Sequence, residues 1–337
     1  MVRAAPVAAA LLCALSATAQ ETYFDRLATD ELAVMSPTER VSGGPGNMRV
    51  VENACHRAQD ASIRRRIVDI AVQEWGFFGF KVVDQTIVVE NEPRPPRPRE
   101  YRRRSWLNAE ESARVADSIA GYWSITGDGR WILDRQNTIW SGPTGVASRW
   151  RDPWSAAFIS WVMCEAGLGD KDQFDRAIAH HAYIDQAIQA RDDDTSAAAF
   201  VAFDVGETRI EPGDLLCSAR RPRYDSIEER RGQLGSGIRS HCDIVIQLDP
   251  GNDRILVIGG NVRGSVSLKL LPAIFGSGGN SEACVQSVGS GRRAVFAHLK
   301  LRADSIEENA LETSATMRAL AASGEIFKTV QSRLANR

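Results

Sequence analysis

Histidine and cysteine are scarce in this chain, with five and six of them in 337 residues, and no two fall at the spacing of a zinc site. A Cys/His metal centre is therefore not expected, and nothing in the sequence calls for a cofactor. Charge of one sign is lacking too: 41 Lys and Arg stand against 43 Asp and Glu, for a formal charge of −2. That near-balance argues against nucleic acid as a partner, because phosphate backbones are held by clustered positive charge. Also missing is any apolar run of the ~20 residues that a membrane-crossing helix needs. What remains, 43% apolar and 25% charged, is the composition of a globular chain with enough apolar material for a full core.

One short apolar run stands at the N-terminus. Arg3 precedes "PVAAALLCALSATA", which closes on the small residues Ala17, Thr18 and Ala19, the pattern of a secretory signal. Residues 1–19 are accordingly set apart as a signal peptide, and the mature protein is expected to be exported, soluble, and periplasmic or extracellular. Cys13 follows "ALL", without the small residues that precede a lipidated cysteine. Beyond the signal lie Cys55, Cys164, Cys217, Cys242 and Cys284. An odd number over so long a chain is not a disulfide framework, though one or two bridges fit an oxidising compartment.

Residues 20–57 show no sustained period and contain "SGGPGN", so they read as an irregular lead-in. Ile63, Ile67, Ile70, Ala71 and Trp75 then recur at helical spacing, which predicts a core helix over 60–77. Four prolines and six arginines in "PRPPRPREYRRR" (93–104) forbid a regular buried element and predict a solvated basic loop. Val115, Ile119 and Trp123 predict a second helix over 109–123, and a third is expected over 172–190. From there the pattern changes to short apolar runs that read as strands, at 213–219, 241–248, 254–261, 265–271 and 294–300. The arginine-rich stretch 220–239 is an insertion between the first two strands. Residues 303–337 read as a helical tail, polar enough to lie on the surface. Helices first and strands afterwards predict an α+β layer fold, with the main domain over 58–302. Seven of the eight tryptophans lie between Trp106 and Trp161, and two uses stay open for them: walls of the core, or stacking on sugar rings.

The segment "RDPWSAAFISWVMCEAGLG" (151–169) opens a helix. Asp152 suits the N-cap, Pro153 the first helical position and Gly167 the end. Ser155 then stands in the first turn, where free N–H groups and the positive end of the helix dipole favour an attacking oxygen and the oxyanion it makes. Further on, "HCDIVIQLDPGNDRILVIGGN" (241–261) reads as a hairpin around "DPGND". A turn centred on Gly251 sets His241 opposite Asn261, with Cβ atoms about 4.5–5.5 Å apart, so that Asn261 can orient the imidazole. Strand alternation sends Cys242 away from His241 and puts Asp243 on the same face as that histidine, where its carboxylate can supply charge. Cys164 sits toward the far end of the helix. His180, His181 and His298 lack a comparable partner and read as ordinary helix or strand histidines, His181 being the exception if its helix borders the cleft. Trp154, Asp243 and His181 are the candidate substrate-binding residues.

In order and chemistry, "PWSAAFISWVMCEAG", "PGDLLC", "SHCDIVI" and "IGGN" resemble the secreted bacterial domain-of-unknown-function family 2272. That family is similar in layout to the CHAP amidases and NlpC-type cell-wall peptidases of the papain-like class. The resemblance covers about residues 58–302 and implies a papain-like α+β fold, a nucleophile-position helix packed on an antiparallel sheet. It also implies attack on an amide, most often a peptide bond in peptidoglycan, which makes peptidoglycan or another cell-envelope polymer the implied partner. The peptidase relatives carry cysteine in the first turn, histidine on a strand and a polar residue on the next strand. Carried over, these positions are Ser155, His241 and Asn261. Serine is the departure: a cysteine at a helix N-terminus ionises readily, whereas a serine hydroxyl must hand its proton to a base as it attacks. Three readings stand: an exported serine hydrolase or acyltransferase, a binding module without turnover, and a structural envelope protein.

Overall fold

The computed structural model describes residues 23–55, 63–86, 107–147, 149–194, 197–276, 284–290, 293–324, 328, 330–332 and 334. The expected signal peptide, Cys13, Trp106 and the basic loop at 93–104 lie outside the described residues. No helix among the described residues is long and apolar enough to cross a membrane.

The lead-in is more ordered than its composition predicts. It forms α1 (Thr29–Leu32), a 3-10 turn at Pro37–Arg40, and a small strand pair, β1 (Val41–Ser42) with β2 (Arg49–Val50). Charge and sulfur tie it down: buried Arg40 binds Glu165, and Cys55 is bonded to Cys164. Next come α2 (Ile63–Phe77), β3 (Lys81–Asp84), α3 (Ala109–Arg114), α4 (Ala116–Ser124), α5 (Gly129–Trp140), α6 (Ser155–Glu165) and α7 (His181–Asp192). The helix predicted over 109–123 is split, because Val115 leaves the helical region at φ −100°, ψ 4°. α5 was not expected, since the turn-like "GDGRW" disguises its start.

Only the second half of the helix predicted over 172–190 forms. Gln186 takes up the carbonyls of Lys171 and Asp172 and the N–H of Asp175, while Ser160 bonds both backbone groups of Ala177. Those side chains hold residues 171–179 as a loop against α6, and the loop ends on His180, the residue before α7.

The chain continues through β4 (Phe200–Phe203), β5 (Leu215–Arg221), α8 (Ile227–Arg231), β6 (Arg239–Asp249), β7 (Arg254–Val262), β8 (Ser265–Gly276), β9 (Cys284–Ser290), β10 (Arg293–Leu301) and α9 (Ala315–Ser323). The fold is α+β with a mostly antiparallel sheet in the order β3-β8-β7-β6-β5-β10-β4. β3 runs parallel to β8. β9 pairs with both β8 and β10, so the pairings from β8 through β7, β6, β5, β10 and β9 return to β8. Strand alternation divides two cores across this ring. Leu216, Val245, Val257, Leu271 and Val295 make a small core on one face, while Cys217, Ile244, Ile258 and Leu270 join the helices in the large core on the other.

α6 is the central helix. All its residues are buried, as befits a helix apolar on every side. Asp152 does not cap it: Trp154 holds the N-cap position, and the carboxylate of Asp152 pairs with Arg135 instead. Gly167, at φ +107°, ends the helix as expected, with Leu168 N–H on the carbonyl of Met163. The tail is a correction to the sequence reading. Ala310, Leu311, Met317, Leu320 and Val330 are buried in the large core, and Asp69 of α2 accepts the N–H of Ala315. Trp75, Trp123, Trp154 and Trp161 are fully buried, so these four rings are core walls.

Candidate functional site

Glycine brings α6 onto the sheet. A Cβ at Gly260 would lie 2.6 Å from Cβ of Phe158, so only a bare backbone lets the first turn of α6 sit this close to β7. Ser155, the first residue of α6, is 9% exposed. Its Oγ lies 2.7 Å from Nε2 of His180, which the 171–179 loop delivers. His180 is 4% exposed, and its other nitrogen, Nδ1, meets the Tyr183 hydroxyl and the backbone N–H of Cys242.

These contacts settle where the His180 proton sits. Burial, assisted by the neighbouring His241, holds the pKa of His180 well below its ordinary value, so the ring is neutral. A backbone N–H can only donate, and Nδ1 therefore accepts from Cys242 at 3.3 Å. The single ring proton is on Nε2 and is donated to Ser155 Oγ. In this arrangement His180 holds the serine oxygen but has no lone pair to take its proton.

The second imidazole is arranged the other way round. His241 Nε2 is 3.0 Å from Oδ1 of Asp243, and Oδ2 of Asp243 binds the buried ammonium of Lys269. Burial works against the charge on Asp243, but Lys269 and His241 outweigh it and hold the carboxyl well below the ordinary carboxylate range. An ionised Asp243 makes Nε2 of His241 the donor, so that in the neutral ring the lone pair is on Nδ1. The His241 ring packs edge-on to that of His180, centroids 5.2 Å apart. His180 thus links the two halves of the site, bonding Ser155 on one side and packing on His241 on the other, and among the described residues no hydrogen bond joins Ser155 to His241 directly.

The expected opposition of His241 and Asn261 is not formed. The predicted register holds at Val245↔Val257 and Ile244↔Ile258, where the β6–β7 pairing ends. Gly259 takes the place beside the histidine: a Cβ there would be 2.0 Å from Asp243 Oδ1 and 3.0 Å from His241 Nε2. The carboxylate fills that space, and the chain turns away, with Asn261 in the left-handed region at φ +55°. Among the described residues no hydrogen bond joins Asn261 to His241. Asn261 lines a cavity of about 600 Å³ instead, together with Asp152, Pro153 and Trp154 at the start of α6. Trp154 reaches the core as well, packing on Phe78 and Tyr122. His181 opens α7, half-buried and outside the cavity lining.

Cys242 points to the large-core face of β6, opposite to the His241 face, and is bonded to Cys217, its direct cross-strand partner. His298 binds Asp214 in a buried network with Arg64. Sequence reasoning missed His180, Tyr183 and Lys269. The i, i+3 pair of His180 and Tyr183 was visible, but a helix predicted straight through it hid the turn that aims His180 at Ser155. Among the described residues no group of three or more His, Cys, Asp or Glu is placed to hold a metal ion.

Residues 110–301 match the family model described as "Uncharacterized protein conserved in bacteria (DUF2272)", a narrower span than the 58–302 expected. No curated protein and no solved structure matches the chain.

Proposed function

The chain belongs to the DUF2272 family, and on that footing we propose that it is an exported serine hydrolase or acyltransferase acting on peptidoglycan peptide or a related amide or ester. The observation that carries this reading is the contact between His241 and Asp243. It leaves a basic nitrogen on the histidine that packs against His180, the partner of a serine at a helix N-terminus, and it supplies the carboxylate that a serine nucleophile needs behind its base.

In the proposed reaction Ser155 Oγ attacks the acyl carbon while its proton passes to Nδ1 of His241, which must come within hydrogen-bond reach of Oγ as substrate binds, since His180 is the histidine that holds Ser155 in this structure. Asp243 steadies the resulting imidazolium by charge, with Lys269 fixing the carboxylate from the other side. The oxyanion forms near the unpaired N–H groups of the first turn of α6. His180 positions Ser155 through its Nε2–H and takes no proton. The leaving amine or alkoxide collects the proton from His241, and water or an acceptor nucleophile then releases the acyl group from Ser155. Two disulfides and the signal-like N-terminus support export to an oxidising compartment. The papain-like layout belongs to the same proposal: a buried helix carries the nucleophile position, packed on antiparallel strands that carry the base.

A specific observation favours a second reading, a binding module without turnover. Ser155 is buried and receives a hydrogen bond from His180, which is how a packed helix-start serine is satisfied. A fluorophosphonate probe separates the two. The hydrolase reading expects labelling of the wild type at Ser155, lost in Ser155→Ala and His241→Ala, and release of fragments from peptidoglycan sacculi. An unlabelled wild type that binds sacculi without release would replace it with the binding module. In that event Ser155→Cys should still react with iodoacetamide faster than Cys284, because the helix N-terminus lowers a thiol pKa.

A further inference from the structure

The cavity beside α6 has an uneven distribution of charge. Its floor is apolar, with Leu107, Ile119, Trp140 and Trp154 buried. Its mouth carries Arg149, Arg151, Arg220 and Arg263, all exposed. These arginines come from three separate places, the segment before α6, the end of β5 and the turn between β7 and β8. Among the described residues Asp152 is the one acid in the lining, and its carboxylate is taken by Arg135, which lies outside the lining. Arg151 and Arg220 have no carboxylate partner among the described residues. Two cations on one cavity rim without a counter-charge among the described residues are best satisfied when a ligand brings the negative charge, and Arg151 and Arg220 alone suffice for this.

We propose that this cavity is a binding subsite for an acidic peptide, whose carboxylates are held by the guanidinium groups at the mouth while its apolar parts occupy the floor. Guanidinium forks match carboxylates in geometry as well as charge. A cavity of about 600 Å³ is of the size that encloses a small ligand or a few residues of peptide. A sugar polymer fits less well. Trp140 and Trp150 meet edge-on, at 79° with centroids 5.0 Å apart, and Trp154 is turned into the core, so the described residues offer no flat aromatic platform. The inference rests on the hydrolase reading for one feature, the direction of the ligand. Six consecutive lining residues, Arg149 to Trp154, run directly into Ser155, so a peptide seated here leads its next bond toward the start of α6.

Binding is tested in Ser155→Ala, which removes turnover, by calorimetry at low salt with two probes: the peptide Ac-Ala-Glu-Ala and its uncharged twin Ac-Ala-Gln-Ala-amide. The acidic peptide is expected to bind at least about ten-fold more tightly than the twin, and the double variant Arg151→Gln/Arg220→Gln to lose about ten-fold, the effect of two exposed charge contacts. Both arginines are exposed, so that variant keeps its fold, which circular dichroism checks. Equal binding of the two peptides, no effect of the arginine changes, or displacement of the peptide by an oligogalacturonate each overturns the proposal. The hydrolase reading fails separately. Peptide binding with no fluorophosphonate labelling of the wild type removes the enzyme and keeps the subsite, while labelling without peptide binding removes the subsite and keeps the enzyme.

Discussion

Asp243 stands between His241 and Lys269, and replacing it by asparagine should cost stability and labelling for different reasons. Asp243 and Lys269 are 2% and 3% exposed, so the substitution leaves a buried ammonium without its counter-charge. An asparagine has one acceptor oxygen for two donors, and its amide hydrogens must face either the His241 N–H or the Lys269 ammonium. Gly259 packs directly over the carboxylate, which closes the route by which a replacement water would enter from β7. Breaking a buried pair of this kind by removing one partner costs about 3–5 kcal/mol. Adding Lys269→Met removes the stranded charge, and the double variant should recover to within about 1–2 kcal/mol of wild type. Fluorophosphonate labelling at Ser155 should fall about 10²–10⁴-fold in both variants, because His241 loses its orienting carboxylate whether or not Lys269 is present. Urea unfolding followed by tryptophan fluorescence reads the first quantity, and labelling rate the second. An unchanged unfolding midpoint in Asp243→Asn would refute the buried pair. Labelling that returns with stability in the double variant would refute the role given to His241 and Asp243.

Two further outcomes follow from the same geometry. Burial holds the His180 pKa far below its unfolded value of about 6.5, so the unfolded chain binds a proton there that the native chain refuses. The stability this residue contributes is complete above that pH and is lost as pH falls toward the native value, at up to about 1.4 kcal/mol per pH unit. Unfolding curves at pH 7 and pH 5 should therefore converge for wild type and His180→Gln as the pH is lowered, and parallel curves would refute the buried neutral ring. Peptide mapping without reductant should find Cys55 joined to Cys164 and Cys217 to Cys242. Replacing the first pair by alanines, which opens a closure of 109 residues, should lower unfolding free energy by about 2–5 kcal/mol; free thiols at these positions in native protein would sink the assignment.

Periodic signals were read from the chain alone. All five predicted strands form, because alternation of apolar residues is imposed by the two faces of each strand and needs no knowledge of its neighbours. The register expected from the turn at 249–253 is one residue out beside the turn, at Asp249↔Arg254, Leu248↔Ile255 and Gln247↔Leu256, and is met only at Val245↔Val257 and Ile244↔Ile258, past a bulge that absorbs the extra residue; "PWSAAFISWVMCEAG" marked α6, whose end at Gly167 is a local backbone requirement. Strands β3, β4 and β9 escaped notice, being short or lying where no alternation stands out. The tail escaped too, since its few apolar residues count only when α2 is there to cover them.

The candidate site divides along the same line. Ser155, His241 and Asp243 were legible from a helix start and from strand parity, both local properties. The partnership of Ser155 with His180 was not, because it depends on Ser160 and Gln186 holding a loop in place of a helix across residues 171–179. Nor was the exchange of Asn261 for Gly259 beside His241, which depends on how much room the Asp243 carboxylate takes between two strands. Sequence period determines which face a side chain presents. The partner a buried polar atom finds is decided by tertiary structure, since burial removes water and every such atom must bond to whatever the fold has brought within about 3 Å.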